Sequence, residues 1–272
     1  MVAPQGSPDD RFNTGEAHSA RVYDYILGGK DNYPVDQQAG DAMCEGWPAL
    51  PVHMRANREF MHRAARHLAR EEGIGQFLDI GTGLPTSPNV HEVVQEERPD
   101  ARIVYVDNDP IVLAHARALL TSTPEGRTAY VDADMRDPEA IISSPQFQEL
   151  LDLRKPVGLM VIGILHFILD SDDDHGLVRR LLDPLPAGSF LAMTIGTADF
   201  APVEVGRVAA EYASRGMPMQ LRTRAEAETF FAGLDMVEPG LTQVHHWRPD
   251  PDQEPIDDRD IAMYGAVARK SR

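Results

Sequence analysis

The chemistry in this sequence begins at a glycine turn that follows a short apolar run, within QFLDIGTGLPT at residues 76–86. Asp79 precedes Gly81, Thr82 and Gly83 in this stretch. Glycine lacks a Cβ atom, so the main chain can turn with positive φ and come close to a ligand. A buried strand leading into such a turn is typical of a cofactor-binding unit. We therefore predict that Asp79, Gly81, Thr82 and Gly83 contact a cofactor.

Two further acidic positions each follow a run that is predicted as a strand. Asp107 and Asn108 follow the first run, and Asp134 and Met135 follow the second. In a doubly wound sheet these strand ends share one edge, where ligands bind. Asp107 could accept hydrogen bonds from both hydroxyls of a ribose. Asp134 could accept one from an adenine amino group, and Met135 could pack on the ring. Together they indicate an adenosine-containing cofactor.

The glycine turn helps to choose between two such cofactors. A dinucleotide-binding turn has the spacing G-x-G-x-x-G, but here Thr86 stands at the third position and Pro85 precedes it. This weakens the alternative of an NAD-dependent oxidoreductase. A sulfonium cofactor carries an amino-acid tail and no pyrophosphate, so a glycine turn with nearby carboxylates suffices. Arg58 is a candidate to bind the carboxylate of that tail, with a surface position as its alternative.

One candidate base follows the next apolar run. Gly163 and His166 lie in the loop after residues 157–162, so Gly163 could border the cofactor and His166 could take a proton from an acceptor. The alternative for His166 is a ring bonded to the loop backbone. The acidic run before His175 could bind a cation, but acids are common at the start of a helix. We predict no metal site.

These residues must be positioned by strands that alternate with helices. Five such strands imply an α/β, Rossmann-like, doubly wound sheet with right-handed crossovers. On the long helix at residues 51–73, we interpret His53, His62 and His67 as a solvated face. Strands are predicted at residues 76–80, 102–106, 128–131, 157–162 and 189–194, with two later strands at 241–247 and 263–268. Helices are predicted at residues 19–27, 34–45, 51–73, 90–95, 111–120, 139–151, 174–182, 204–215 and 224–231.

Length and composition limit the class of protein. The 272 residues are 42% hydrophobic, and we predict one domain over residues 11–272, with 11–73 as a helical extension and 1–10 as a flexible N-terminus. The net charge of −17 argues against a nucleic-acid partner. No run approaches the ~20 apolar residues of a membrane helix. With one cysteine, Cys44, and no signal-peptide pattern, we expect a cytoplasmic protein. The oligomeric state stays open.

At this point the residues resemble class I S-adenosylmethionine-dependent methyltransferases, and one family closely: the S-adenosyl methyltransferase family formerly called DUF574. The resemblance is carried by RVYDYILGGKDNY at residues 21–33, the helix with Asn57 and Arg58, LDIGTGLPT, VYVDNDP and the closing YGAVARK. It implies a seven-strand sheet with an antiparallel last strand, which fits residues 263–268. It also implies that Tyr25, Asn32 and Tyr33 cover the cofactor.

The resemblance implies direct, in-line transfer of a methyl group from S-adenosylmethionine to an acceptor. Such a transfer requires alignment and exclusion of water, and needs no covalent protein nucleophile. We expect a small-molecule acceptor, whose identity and reacting atom the sequence leaves open. A protein that binds the cofactor as a sensor without turnover is the main alternative, beside the NAD-dependent oxidoreductase.

Overall fold

The computed structural model describes residues 14–119 and 121–271. Within these residues the strands are β1 (Gln76–Ile80), β2 (Arg102–Asp107), β3 (Arg127–Asp132), β4 (Gly158–Val161), β5 (Phe190–Gly196), β6 (Asp235–Met236), β7 (Thr242–Gln243) and β8 (Met263–Arg269). They form one sheet in the order β3-β2-β1-β4-β5-β8-β6, with β7 also paired to β8. The predicted flexible N-terminus, residues 1–10, lies outside the described residues.

Ten α-helices surround the sheet in the described part of the chain. They are α1 (Ser19–Ile26), α2 (Pro34–Gly46), α3 (Leu50–Arg70), α4 (Val90–Glu97), α5 (Pro110–Leu119), α6 (Pro138–Ser143), α7 (Pro145–Leu150), α8 (Asp174–Leu182), α9 (Pro202–Ser214) and α10 (Arg224–Thr229). None of these helices combines the length and the apolar character that crossing a bilayer requires. Thr223 and Glu226 form the capping box that starts α10, because each side chain binds an otherwise unpaired amide.

The position of β1 in the sheet explains where a ligand can bind. All five residues of β1 are buried, since helices cover both faces of the sheet. Phe77 packs in a cluster with Phe60 of α3, whereas Leu78 packs in the opposite cluster with Leu177 of α8. The chain runs from β1 to β2 and β3 on one side and to β4 and β5 on the other. This reversal beside β1 opens a crevice at the carboxyl ends of the strands.

The predicted fold class is confirmed, with eight strands where seven were expected. Strands β1 to β5 pair in parallel, and β8 runs antiparallel to β5 with Thr194 opposite Gly265. The prediction of one strand over residues 241–247 is wrong. Only Thr242–Gln243 is a strand, and a 3-10 turn follows at Val244–His246.

The buried side chain of Arg63 explains why residues 241–247 do not form one strand. The Arg63 guanidinium donates to the carbonyl oxygens of Val244, at 2.7 Å, and Trp247, at 3.0 Å. These backbone groups are therefore satisfied by a side chain instead of a neighbouring strand. Trp247 is fully buried and its ring lies edge-on against Phe60. The apolar run at residues 241–247 was interpreted as a strand buried in the sheet, but these residues are buried because they pack against α3.

Helices α1 and α2 form a layer that we call the cap. Inside it the Arg21 Nε and the Asp36 Oδ2 lie 3.3 Å apart, and both side chains are almost fully buried. Val22 and Ile26 of α1 pack with Met43 of α2, and the same cluster includes Val205 and Tyr212 of α9. The cap is thus fastened to the helix that follows β5 as well as to its own partner helix.

Candidate functional site

One cavity of about 350 Å³ lies between the cap and the carboxyl ends of the strands. This volume falls within the range of small-molecule sites. Nine residues predicted to bind the cofactor line it: Arg58, Gly81, Thr82, Gly83, Asp107, Asn108, Asp134, Met135 and Gly163. His166, the predicted base, lines it too. The sheet topology therefore brings together positions that are more than one hundred residues apart.

The glycine turn forms one wall of the cavity. Gly81 and Gly83 have φ values of +71° and +68°, which L-residues with a side chain rarely adopt. The Gly81 amide donates to the Val106 carbonyl at 2.8 Å, so the turn is tied to the end of β2. A Cβ on Gly81 would stand 2.4 Å from the Ile164 side chain, whereas the space around Gly83 is open.

Asp107 links the glycine turn to the helix after β2. One carboxylate oxygen accepts the Gly83 amide and the other accepts the Asp109 amide, each at 2.9 Å. Burial raises the pKa of Asp107, and the two amide bonds act against that rise. Each carboxylate oxygen keeps a further lone pair, so the carboxylate can still accept a ligand hydroxyl.

Asp134 is held by neighbours on two sides. Its Oδ2 accepts from Asn108 Nδ2 at 2.9 Å, and its Oδ1 accepts from the Arg136 amide at 2.8 Å. The Arg136 guanidinium also donates to the Phe167 carbonyl at 2.9 Å. Arg136, which the sequence analysis did not single out, therefore ties the end of β3 to the loop after β4. Met135 is almost fully buried beside them.

Asp79 lies behind the glycine turn, outside the residues that line the cavity. Desolvation raises its pKa to about 7, and the charge of Asp107 adds to this effect. Arg58 does line the cavity, but its guanidinium donates to the carbonyls of Thr86 and Pro88. It therefore holds the loop after the glycine turn, and burial lowers its pKa.

Tyr25, Asn32 and Tyr33, which the resemblance assigned to the cofactor, are not among the residues that line the cavity. Tyr25 points away from it, because its ring packs over Gly40 and its hydroxyl donates to Asp41 at 2.7 Å. Asn32 donates to Asp24 at 2.8 Å, inside the cap. Tyr33 precedes α2 as its N-cap, and its ring packs in a small cluster that includes Leu84 and Ile111.

The cap instead presents Tyr23 and Asp24 to the cavity. The Tyr23 hydroxyl donates to the Met54 carbonyl at 3.0 Å, which joins α1 to α3. Asp24 accepts from the Asp31 amide at 3.0 Å as well as from Asn32. A Cβ on Gly29 would fall within 2.0 Å of the Asp24 carboxylate. The GGKDNY segment is therefore folded around this one buried carboxylate.

Another part of the cavity wall is apolar and comes from Trp47, which follows α2, and from α3, α9 and residues 217–221. We call this part the acceptor chamber. Its lining residues share apolar or aromatic side chains and pack in one cluster: Trp47, Leu50, Met54, Val205, Val208, Tyr212, Met217, Met219 and Leu221. Three imidazoles of the described residues line the cavity: His53, His166 and His18, whose Nδ1 lies 3.2 Å from the Asp109 carboxylate.

His166 lies in the 3-10 turn Leu165–Phe167, after β4. Its Nδ1 is buried and has no hydrogen-bond partner within the described part of the chain, so the alternative of a ring fixed through Nδ1 to the loop backbone is not seen. Its main-chain carbonyl accepts the Gln220 amide at 2.8 Å. Burial lowers the pKa of His166 to about 4, with a further contribution from the charge of Arg222.

The interpretation of the α3 histidines as a solvated face is wrong for His53 and His67. Both are buried, and His53 lines the cavity together with Asn57. These two residues are four apart on the face that also carries Met54 and Met61. The Asn57 Oδ1 is buried without a partner in the described residues. Polar residues four apart within an apolar stripe were the signal that could have identified this wall.

Known proteins resemble this chain in sequence and in structure. A family model described as S-adenosyl methyltransferase matches residues 5–271. The crystal structure of a DUF574 family protein from Streptomyces avermitilis MA-4680 is 67% identical, with a TM-score of 0.93, over 95% of this chain and 99% of that chain. A provisionally named methyltransferase from Thermobifida fusca YX is 36% identical, with a TM-score of 0.89, over 98% and 100% of the two chains.

More distant structures share the fold. A Burkholderia thailandensis 1,6-didemethyltoxoflavin-N1-methyltransferase, solved with its acceptor and S-adenosylhomocysteine, is 15% identical with a TM-score of 0.50 over 100% of this chain and 94% of that chain. At this identity the likeness concerns the fold alone. A search of the curated proteins found no match.

Proposed function

The chain belongs to the S-adenosyl methyltransferase family, and from that premise we propose that it transfers a methyl group directly to a small molecule held in the acceptor chamber. It is an S-adenosylmethionine-dependent methyltransferase. One observation supports the proposed acceptor class. The glycine turn with its acids and the apolar chamber line the same cavity, so a cofactor and a small acceptor can meet there without water between them.

The proposed cofactor site consists of the turn Gly81 to Gly83 with Asp107, Asn108, Asp134, Met135 and Gly163. The open space around Gly83 leaves room for the cofactor beside the main chain. The unpartnered Asn57 Oδ1 suits the ammonium group of the amino-acid tail, because a buried carbonyl oxygen gains most from a charged donor. Asp79 then supports the turn from behind, Arg58 holds the loop that follows the turn, and Tyr25, Asn32 and Tyr33 stabilise the cap.

The same proposal extends to domain organisation and location. Residues 11–272 form one methyltransferase domain, in which residues 11–73 cover the cofactor and the acceptor. The net charge of −17 disfavours polyanionic acceptors such as nucleic acids. A cytoplasmic location, expected from the composition, can be tested by fractionation of cells that express the chain.

Bound S-adenosylmethionine supplies an electrophilic methyl group on a sulfonium. The protein then makes three contributions: it aligns the acceptor, excludes water and accepts a proton. The cavity walls align the acceptor atom with the carbon–sulfur bond, since orientation is the main contribution to a displacement of this kind. The chamber excludes water, and His166 can take the proton of an acceptor that loses one.

Calorimetry with S-adenosylmethionine and S-adenosylhomocysteine tests the cofactor site. Asp107→Ala should weaken both ligands at least tenfold, since the variant loses a ribose acceptor and the bond that positions the Gly83 amide. Asp41→Ala is the matched control, because its exposed carboxylate bonds only to Tyr25 among the described residues. Equal affinities in the two variants would contradict the proposed site.

Release of S-adenosylhomocysteine separates an enzyme from a sensor. Incubation of the protein and S-adenosylmethionine with a broad set of small-molecule acceptors should release the demethylated product above the rate without acceptor. Binding of the cofactor with no release across the set would favour a sensor.

A further inference from the structure

The acceptor chamber differs from the rest of the cavity in its charge. The acids and arginines that line the cavity are Asp24, Arg58, Asp107, Asp134 and Arg136, and His18, beside Asp109, lines it as well. Asp24 lies in the cap, Arg58 lies on α3, and the other two acids and Arg136 lie at or just after the ends of β2 and β3. The chamber itself is built from aliphatic, aromatic and methionine side chains of one apolar cluster. A charged ligand group placed there would lose its hydration without gaining a counter-ion.

His53 offers a defined hydrogen-bonding group to this chamber. Its Nδ1 accepts the Ala262 amide at 3.2 Å. A nitrogen that accepts carries no proton, so the proton of the neutral ring lies on Nε2. His53 can therefore act only as a donor through Nε2.

His166 complements that donor. Its Nδ1 has no partner in the described part of the chain although the residue is more than nine-tenths buried. Burial lowers the pKa of His53 to about 3 and that of His166 to about 4, and the charge of His166 contributes to the first of these shifts. Both rings are therefore neutral at pH 7, and a neutral imidazole can accept a hydrogen bond through its unprotonated nitrogen.

We propose that the methyl acceptor is an uncharged, largely apolar molecule whose hydroxyl group binds between His53 and His166. The hydroxyl oxygen accepts from His53 Nε2, and its hydrogen is donated to His166. One hydroxyl thus bridges the Nε2 donor of His53 and the unprotonated ring nitrogen of His166, in a chamber whose other side chains are apolar. This inference rests on the proposed function and names the substrate class of the same site.

The step balances without a further reactant. A lone pair of the hydroxyl oxygen forms the new bond to the methyl carbon, and the electrons of the carbon–sulfur bond move to sulfur. The hydroxyl proton moves to His166 and then to water. The oxygen becomes strongly acidic as the carbon–oxygen bond forms, so a weakly basic imidazole suffices to accept this proton.

Matched naphthalene probes test the substrate class, using wild-type protein saturated with S-adenosylhomocysteine. Calorimetry should show that 2-naphthol binds at least tenfold more tightly than 2-naphthoate, 2-naphthylmethylammonium or naphthalene. The two ions would lose hydration in the chamber, and naphthalene leaves both imidazoles unpaired. Equal or tighter binding of either ion, or no binding of 2-naphthol, would overturn the inference.

Variants of His53 and His166 test the roles of these residues as hydrogen-bond donor and proton acceptor. His53→Ala should reduce the affinity for 2-naphthol to that for naphthalene, with naphthalene itself unchanged. His166→Gln, which keeps a hydrogen-bonding side chain, should lower the turnover of 2-naphthol at least tenfold with a smaller change in KM. His246→Ala, an exposed histidine outside the residues that line the cavity, is the control. Unchanged 2-naphthol affinity in His53→Ala would contradict the assigned contact.

The cofactor provides the reference measurement. All three variants should bind S-adenosylhomocysteine as the wild type does. If the wild type binds no S-adenosylhomocysteine, the proposed function itself fails. If it binds S-adenosylhomocysteine but prefers the ionic probes, only the substrate class is wrong.

Discussion

Asp79 shows how one side chain can be stabilising or destabilising according to its ionisation. It is buried behind the glycine turn, near the carboxylate of Asp107, and its pKa is raised to about 7. Arg58 partly offsets this rise. In the unfolded chain the pKa of this group is close to 3.8. Folding therefore binds a proton between those two values, and the free energy of unfolding falls as the pH rises from about 4 to about 7.

We expect Asp79→Asn to be more stable than the wild type at pH 8, because the amide cannot ionise. One pKa unit corresponds to about 1.4 kcal/mol, so the gain can reach up to about 4 kcal/mol. Near pH 4 the difference should be much smaller, since the buried carboxyl is then protonated. Urea unfolding at both pH values measures it, and a gain that is independent of pH would contradict the argument.

The two glycines of the turn should differ in how much an alanine substitution destabilises the protein. Alanine at either position is strained by positive φ, at a cost of roughly 1–2 kcal/mol. At Gly81 the added Cβ would also stand 2.4 Å from Ile164, whereas at Gly83 it meets open space. We expect Gly81→Ala to lower the free energy of unfolding more than Gly83→Ala does. Equal losses of unfolding free energy in chemical denaturation would show that backbone strain, and not the contact with Ile164, sets the cost of both substitutions.

At this scale the sequence identified residues whose type is tied to a strand end. The position of Asp107, Asp134 and the glycines in the cavity wall could be predicted, because a parallel sheet places its carboxyl ends on one edge. Arg58 was assigned to the carboxylate of a ligand, and the structure adds that its Nη2 donates to two carbonyls of the loop after the glycine turn. His53 was not identified, because the three histidines of the helix were interpreted together as a solvated face and the spacing of His53 and Asn57 within the apolar stripe was not used.

At the scale of elements, the cap depends on Asp24. This carboxylate accepts from the Asp31 amide and the Asn32 side chain, and so fixes the connection between α1 and α2. Asp24→Ala should lower the free energy of unfolding by about 1–3 kcal/mol, because two donors lose a buried acceptor. It should also weaken S-adenosylhomocysteine about tenfold, since the cap lines the cavity.

Hydrogen exchange distinguishes this local effect from general unfolding. In Asp24→Ala, amides of α1 and α2 should exchange faster while those of β1 and β4 stay protected. Asp41→Ala, which removes only an exposed acceptor of Tyr25, should leave both regions unchanged. Loss of protection throughout the sheet would mean that the cap does not behave as a separate layer.

Arg222 has a comparable role beneath the loop after β4. Its guanidinium donates to Asp174 at 2.5 Å and to the Ile168 carbonyl at 3.0 Å, and the Arg222 and Asp174 side chains are both buried. Arg222→Ala would leave a buried carboxylate unpaired, at a cost of about 3–5 kcal/mol. Arg154→Ala, which breaks an exposed pair with Asp152, should change the Tm little. Similar Tm losses in the two variants would contradict the assigned role of burial.

The elements themselves were largely predictable where a periodic apolar pattern decides their position. The predicted strands at residues 76–80 and 263–268 and the helix at 174–182 agree with the structure to within one residue. The error over residues 241–247 arose because Arg63, almost two hundred residues away, binds the carbonyls of that segment. A local pattern carries no information about a partner at such a distance.

At the scale of the whole molecule, the cavity joins the cap, the sheet and α9, so a ligand that fills it must stabilise all three together. A ligand that binds only the native state at one hundred times its Kd adds about 2.7 kcal/mol to the free energy of unfolding. For a chain of this size we expect S-adenosylhomocysteine to raise the Tm by roughly 5–10 °C. NADH should give no comparable shift, because Thr86 replaces the third glycine that a pyrophosphate-binding turn uses. Asp107→Ala should abolish most of the shift, whereas Asp41→Ala should keep it. Thermal unfolding of the three proteins with each ligand provides the measurement, and equal stabilisation by NADH would contradict the cofactor specificity.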